Sequence, residues 1–149
     1  RPGASDFGVY GQLTQLAHFD PTPEALTLAR ARRVYAWVDI VDDLSGLEPE
    51  DAGWFTRDTL PATLHALLAE VGRVHVPALL ANARALKAGA GRVETEIDGR
   101  AWVQQPFPYQ GRCLQWLRES FHALAPADRE RVRALLEPAG AAPLIDAPV

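Results

Sequence analysis

The sequence holds one cysteine, Cys113, one lysine, Lys87, and no methionine. A single thiol excludes an intrachain disulfide framework and a cysteine-based metal cluster. No apolar run approaches the roughly 18 residues that a spanning helix needs, and no signal peptide is visible. Positive charge is also in deficit. The formal net charge is −4 and the isoelectric point about 5.5, which argues against nucleic acid or an anionic membrane as the main partner. Nucleophile elbow, phosphate loop and dinucleotide fingerprint are all absent. A soluble, cytoplasmic module with neither a nucleic-acid nor a membrane partner is the expectation.

What is present is helical periodicity. With 149 residues, one domain is expected over 1–149, large enough to bury a core without staples. Fourteen Arg against one Lys, with 25 Ala, fit a GC-rich bacterial source. The first helix is expected over 5–19, with Phe7, Tyr10, Leu13 and Ala17 on one face. Gly3 serves as its N-cap, and Asp6 then falls at the third helical position, facing unpaired N–H groups and the positive dipole end. Asp6 is therefore a structural capping residue. The sequence Asp20, Pro21, Thr22, Pro23 reads as the turn that stops this helix.

A second helix is expected over 24–43, carrying Val34, Trp37, Val38 and Val41 at i, i+3, i+4 and i+7 and ended by Ser45 and Gly46. An acidic linker over 48–51 leads to Trp54 and Phe55. Leu60, Leu64, Leu67, Leu68 and Val71 form a third stripe. Val76, Leu79, Leu80, Ala83 and Leu86 form a fourth, in which Pro77 is tolerable only in the first turn. After a β-hairpin near 92–105 and a stiff aromatic loop over 106–109, two more helices are expected near 110–124 and 126–138. The Ala/Pro-rich tail over 139–149 reads as frayed. Six helices and one hairpin make the class all-α.

Within the hairpin, Asp98 and Gly99 are the strongest short turn signal, because a type I′ turn needs positive φ at both central residues. That turn puts Val93, Thr95, Ile97, Trp102 and Gln104 on one face, and Glu94, Glu96 and Ala101 on the other. Two strands alone are marginal in water. The apolar face, Trp102 included, is expected against the C-terminal helices, with an interface as the alternative.

Candidate chemistry is sparse. His18, His65, His75 and His122 show no i, i+4 spacing, so no metal is expected. Asp39, Asp42 and Asp43 read as solvated charge near a helix C-terminus. Cys113 adjoins Arg112 near a helix start, a setting found around reactive thiols, but it also adjoins the apolar stripe of Leu114, Leu117, Phe121 and Leu124. A buried inert thiol is the expectation.

The segments 2–13 (PGASDFGVYGQL) and 34–46 (VYAWVDIVDDLSG) together resemble the C-terminal helical domain of the glutathione transferase family. An acid three residues after the N-cap starts the central bundle helix there. The resemblance covers about the first 47 residues. Family members place Ser or Thr where Gly3 stands, and often Pro where Arg32 stands. Residues 48–149 look like the long C-terminal extension of a bacterial transferase-like subgroup. By resemblance, glutathione is the parent protein's cofactor, bound by an N-terminal thioredoxin-like domain that also carries the activating Ser, Tyr or Cys. That domain is the implied partner, and the chain, opening on an Arg, would start partway into the helical domain. No glutathione-site or catalytic residue transfers onto this sequence.

The helical domain of the family contributes the wall of a hydrophobic substrate pocket. Tyr10, Trp102, Phe107 and Tyr109 are the candidates for that wall, with core packing as the competing reading. Two function classes stay open. One is the helical half of an enzyme conjugating glutathione to hydrophobic electrophiles. The other is a non-catalytic transferase-fold binding or assembly module, in which the hairpin face serves a partner or a homodimer.

Overall fold

The computed structural model describes residues 2–44, 46–48, 50 and 52–146. The chain divides into two compact units, 1–55 and 56–149; the sequence alone sets its internal boundary at 47/48 within one domain. Helix dominates, with one two-stranded antiparallel sheet. The class is all-α with a hairpin.

In the first unit, α1 (Ala4–His18) begins at the expected cap. The backbone N–H of Gly3 donates to Asp6 Oδ2 at 2.7 Å. Glycine has no side chain to complete the capping box. Trp54 explains why none stands there, since its indole lies over Gly3 and an added Cβ would come within 2.5 Å of the ring.

Asp20 and the two prolines do not form a separate turn; they start α2 (Pro21–Arg30). Asp20 Oδ1 accepts from the Thr22 N–H at 3.2 Å. Pro21 and Pro23 occupy the first turn, where their missing N–H groups would have no partner in any case. The helix expected over 24–43 is broken at Ala31 (φ −141°, ψ 47°), and α3 (Arg32–Asp42) follows. Nothing in local propensity demands that break. It lets α2 and α3 pack separately on α1, and on each other, so tertiary packing overrides a continuous helix. Ala17, Val38 and Val41 are buried, whereas Val34 and Trp37 are half-buried and Phe7 is exposed. Ser45, expected at the helix stop, and Pro49 and Asp51 of the linker lie outside the described residues.

The third and fourth stripes, Leu60 apart, form one helix. In the second unit, α4 (Ala62–Glu70) passes through a π-helical turn (Val71–His75) into α5 (Val76–Lys87), 26 residues without interruption. Counted once, this run is one of six α-helices among the described residues. Pro77 lacks an N–H and its ring crowds the carbonyl four residues back. The turn before it widens, with the Val76 N–H donating to the Val71 carbonyl, so the proline ends no helix. Gly72 sits in this turn against the chain at Ala139, where an added Cβ would lie 1.8 Å from the carbonyl oxygen. By length and composition the 26-residue helix is apolar enough to cross a membrane. Its centre, however, carries the Glu70–Arg73 ion pair, and its second half buries Val76, Leu79, Ala81, Asn82 and Ala85 within the unit.

The hairpin is formed by β1 (Val93–Ile97) and β2 (Arg100–Gln104), with Thr95 opposite Trp102. Asp98 and Gly99 have φ of 56° and 71°, as the turn requires. Val93 and Ile97 are buried on α5, and Glu94 and Glu96 face solvent. The expectation for Trp102 is overturned: it is 45% exposed. Helix α5 underlies β1, and β2 is the outer strand, so the same face is covered on one strand and open on the other. Arg73 ties the π turn to the hairpin turn through Asp98. Its side-chain hydrogen bonds also hold the Glu70 carboxyl below the usual carboxylate range.

Helix α6 (Pro108–His122) starts two residues earlier than expected, so Pro108 and Tyr109 are helical. It buries Leu114 and Phe121, two turns apart, which turns Cys113 outward. The thiol is exposed, contrary to expectation. After α7 (Pro126–Leu136) the tail does not fray through residue 146. At a 3₁₀ turn (Ala142–Leu144), Ala141 and Leu144 join Val76, Leu79 and Leu114 in the core, and Ile145 is buried as well. Arg118 donates to the carbonyls of Leu144 (Nε, 3.0 Å) and Pro143 (Nη2, 3.2 Å), and Arg133 pairs with Asp146 at 2.8 Å. The apolar residues of the tail and these two arginines outweigh its Ala/Pro composition.

Two substitutions test these local arguments. Asp6→Ala removes the carboxylate that accepts the Gly3 N–H and lowers stability by about 0.5–2 kcal/mol in a thermal melt. Gly72→Ala forces the π turn and residue 139 apart and costs about 1–3 kcal/mol, the scale of overpacking. A melt unchanged by Gly72→Ala would show that the two segments are not in contact.

Candidate functional site

The second unit is organised around a polar side chain in an apolar place. Asn82 lies mid-α5 with no solvent exposure, and among the described residues it is the one polar side chain buried to that degree. Its Nδ2 donates to the Phe107 carbonyl at 3.0 Å, and its Oδ1 accepts the Phe107 N–H at 2.7 Å. Phe107 is the N-cap of α6 (φ −115°, ψ 97°). It stands between Pro106 and Pro108, neither of which has an N–H to offer. The tripeptide therefore presents one amide, and Asn82 takes it. A buried amide side chain must find partners for both its ends, and this backbone supplies them.

The clamp sets the aromatic residues that follow. Phe107 and Tyr109 have ring centroids 6.5 Å apart, and Tyr109 meets Trp116 edge-on at 6.2 Å and 86°. All three rings are about half exposed. Of the four residues expected to line an apolar pocket, Phe107 and Tyr109 thus stand together and Trp102 lies on β2, its Nε1 donating to Gln104 at 3.1 Å. Tyr10 belongs to the first unit, where its hydroxyl hydrogen-bonds Asp42.

Beside the ladder, α5 and α6 diverge into an open groove of about 930 Å³. Ala83, Leu86, Gly111 and Leu114 form its apolar floor, with Leu86 seated directly on Gly111. Lys87, Arg118, Glu119 and Asp146 stand on its rim. Both rim carboxylates already accept from other side chains: Asp146 from Arg133, and Glu119 from Gln115 at 2.7 Å.

The first unit has a polar seam between α1 and α3. His18 Nε2 lies 3.1 Å from Asp39 Oδ1 and meets the Tyr35 ring edge-on at 4.9 Å. Asp39 and Asp42, expected as solvated charge, each hold a side chain of α1. Val9, Leu13, Val34, Trp37 and Ile40, with Arg33, line a second open groove of about 600 Å³. Among the described residues no three His, Cys, Asp or Glu side chains converge on a metal-sized space.

Asn82, Trp116 and Arg118 were not legible as site residues. An Asn inside an otherwise apolar helical stripe is a signal of a buried hydrogen-bonding role, and Trp116 follows Tyr109 by two helical turns. Compared with known proteins, the chain matches no family model, no curated protein and no solved structure.

Asn82→Asp tests the clamp. The variant keeps an acceptor for the Phe107 N–H but loses the donor to its carbonyl, at a cost of about 1–3 kcal/mol near neutral pH. Burial raises the folded-state pKa of the new carboxyl above its unfolded value near 3.9. The variant is therefore closest to wild type below that pH and loses stability as pH rises through the folded pKa. Melts at pH 4 and pH 7 check this; a penalty equal at both would contradict it.

Proposed function

We propose that the chain is the helical part of a glutathione-transferase-like protein. Glutathione binding and thiol activation then belong to a thioredoxin-like domain of the parent, and these residues supply part of an apolar substrate wall. The observation that carries the reading is the start of α1, where Asp6 at the third helical position accepts the Gly3 N–H. The packing of α1 against α3 through Ala17, Val38 and Val41 supports it, as does the apolar groove over Val9, Leu13 and Trp37. Phe107 and Tyr109 are the best-placed wall residues of the second unit. Tyr10 holds Asp42 and serves as a helix tether in this reading.

A second reading, a non-catalytic assembly module, is favoured by one observation, the half-exposed Trp102 on the outer strand of the hairpin. A homodimer through that strand is its simplest form.

The parent gene's upstream codons separate the two, with a thioredoxin-like segment bearing a cis-proline and an activating hydroxyl or thiol expected on the first. The purified 149-residue chain is expected not to conjugate glutathione to a chlorinated nitrobenzene above the uncatalysed rate, while the parent does. Turnover by the 149-residue chain alone would defeat the proposal.

A further inference from the structure

Helix α6 carries apolar groups on two opposite sides. One side buries Leu114 and Phe121 in the second unit, with Gly111 and Arg118 half-buried along it. The other side carries Tyr109, Cys113, Trp116 and Ser120, spaced i, i+4, i+7 and i+11 as one helical stripe. All four are exposed. Leu117 and Leu124, also exposed, widen the stripe on one flank. An apolar face of this kind marks a contact surface. On the other flank stand Arg112 and Glu119, both exposed. They are two turns apart, about 10 Å along the axis, too far to pair within their own helix as i, i+4 neighbours do. Glu119 accepts from Gln115 at 2.7 Å, and that neutral amide leaves its charge in place. The flank is thus positive at one end and negative at the other.

We propose that α6 pairs with α6 of a second copy of this chain, antiparallel, about a two-fold axis between Cys113 and Trp116. A copy running the opposite way presents the same flank with its charges in inverse order. Arg112 of each copy then lies beside Glu119 of the other, and the two-fold makes that ion pair twice. Within the stripe, Cys113 packs against Trp116 of the second copy and Tyr109 against Ser120. A parallel pair would instead set Arg112 beside Gln110 and Leu117, which offer no charge. Flanking charges of this kind set both the partner and its direction. The pairing does not depend on the transferase reading: Phe107 lies beyond the stripe and keeps the wall role given to it above, while Tyr109, in the last layer, is shared.

Sedimentation of the 149-residue chain at submillimolar concentration is expected to show a dimer. Cys113 is its one thiol and would lie near its counterpart, since packed helix axes are about 8–10 Å apart. A short bis-maleimide is therefore expected to link two copies. Arg112→Glu or Glu119→Arg places like charges opposite each other and weakens the dimer roughly tenfold or more. The two substitutions together restore it, with the charges inverted. Trp102→Lys, on the outer strand of the hairpin, leaves it intact. A monomer at every concentration overturns the proposal, and so does a dimer that neither single charge change weakens. Loss in both single variants without rescue in the double variant overturns it too. A dimer that Trp102→Lys dissociates would place the interface on the hairpin and not on α6.

Discussion

Two hydrogen bonds between the Asn82 side chain and the backbone of Phe107, one donated and one accepted, govern the second unit. Prolines on both sides remove every alternative donor from that stretch, so the chain leaves the hairpin and enters α6 at one point, fixed on α5. The direction of α6 follows. With it come the seat of Leu86 on Gly111, the burial of Leu114 and Phe121, and the outward turn of Cys113. The ladder of Phe107, Tyr109 and Trp116 and the groove below it are consequences of where that helix begins. Burying an amide this way is costly unless all its bonds are made, and here both ends of the side chain are satisfied.

A second constraint acts from the opposite direction. The helix over 62–87 remains continuous past Pro77 because the backbone widens into a π turn before it. That turn places Gly72 against residue 139 and Arg73 beside Asp98, so one local irregularity touches both the hairpin and the C-terminal segment. The C-terminal segment in turn anchors Arg118, one of four charged residues on the rim of the groove. Polar contacts at a few backbone positions thus determine a site whose floor is wholly apolar.

Much of the secondary structure was legible because it rests on local rules. The Asp6 cap, the hairpin register and the Asp98–Gly99 turn all follow from hydrogen-bonding geometry within a few residues. The errors have a common cause, which is that distant packing decided them. Ala31 breaks a helix that propensity would continue, Pro77 fails to end one that it should, and a tail rich in Ala and Pro is buried by Leu144 and Ile145. Trp102 shares a face with Val93 and Ile97, as its alternation requires, but no periodicity tells which strand a helix will cover. Of the candidate wall residues, Phe107 and Tyr109 come together while Tyr10 and Trp102 serve elsewhere. Aromatic content alone does not say which rings the fold brings together. Asn82 interrupts an apolar helix, and periodicity marks the residues that repeat, not the one that breaks the pattern.

If Asn82 holds the start of α6, the Phe107 amide must be shielded from solvent although its own ring is half exposed. Amide hydrogen exchange at that position reads this directly, since Pro106 and Pro108 contribute no neighbouring signal. The Phe107 N–H is expected to exchange orders of magnitude more slowly than an exposed loop amide, and to approach the protection of the α5 amides around Asn82. Exchange at the rate of an unprotected loop would contradict the clamp and the geometry built on it.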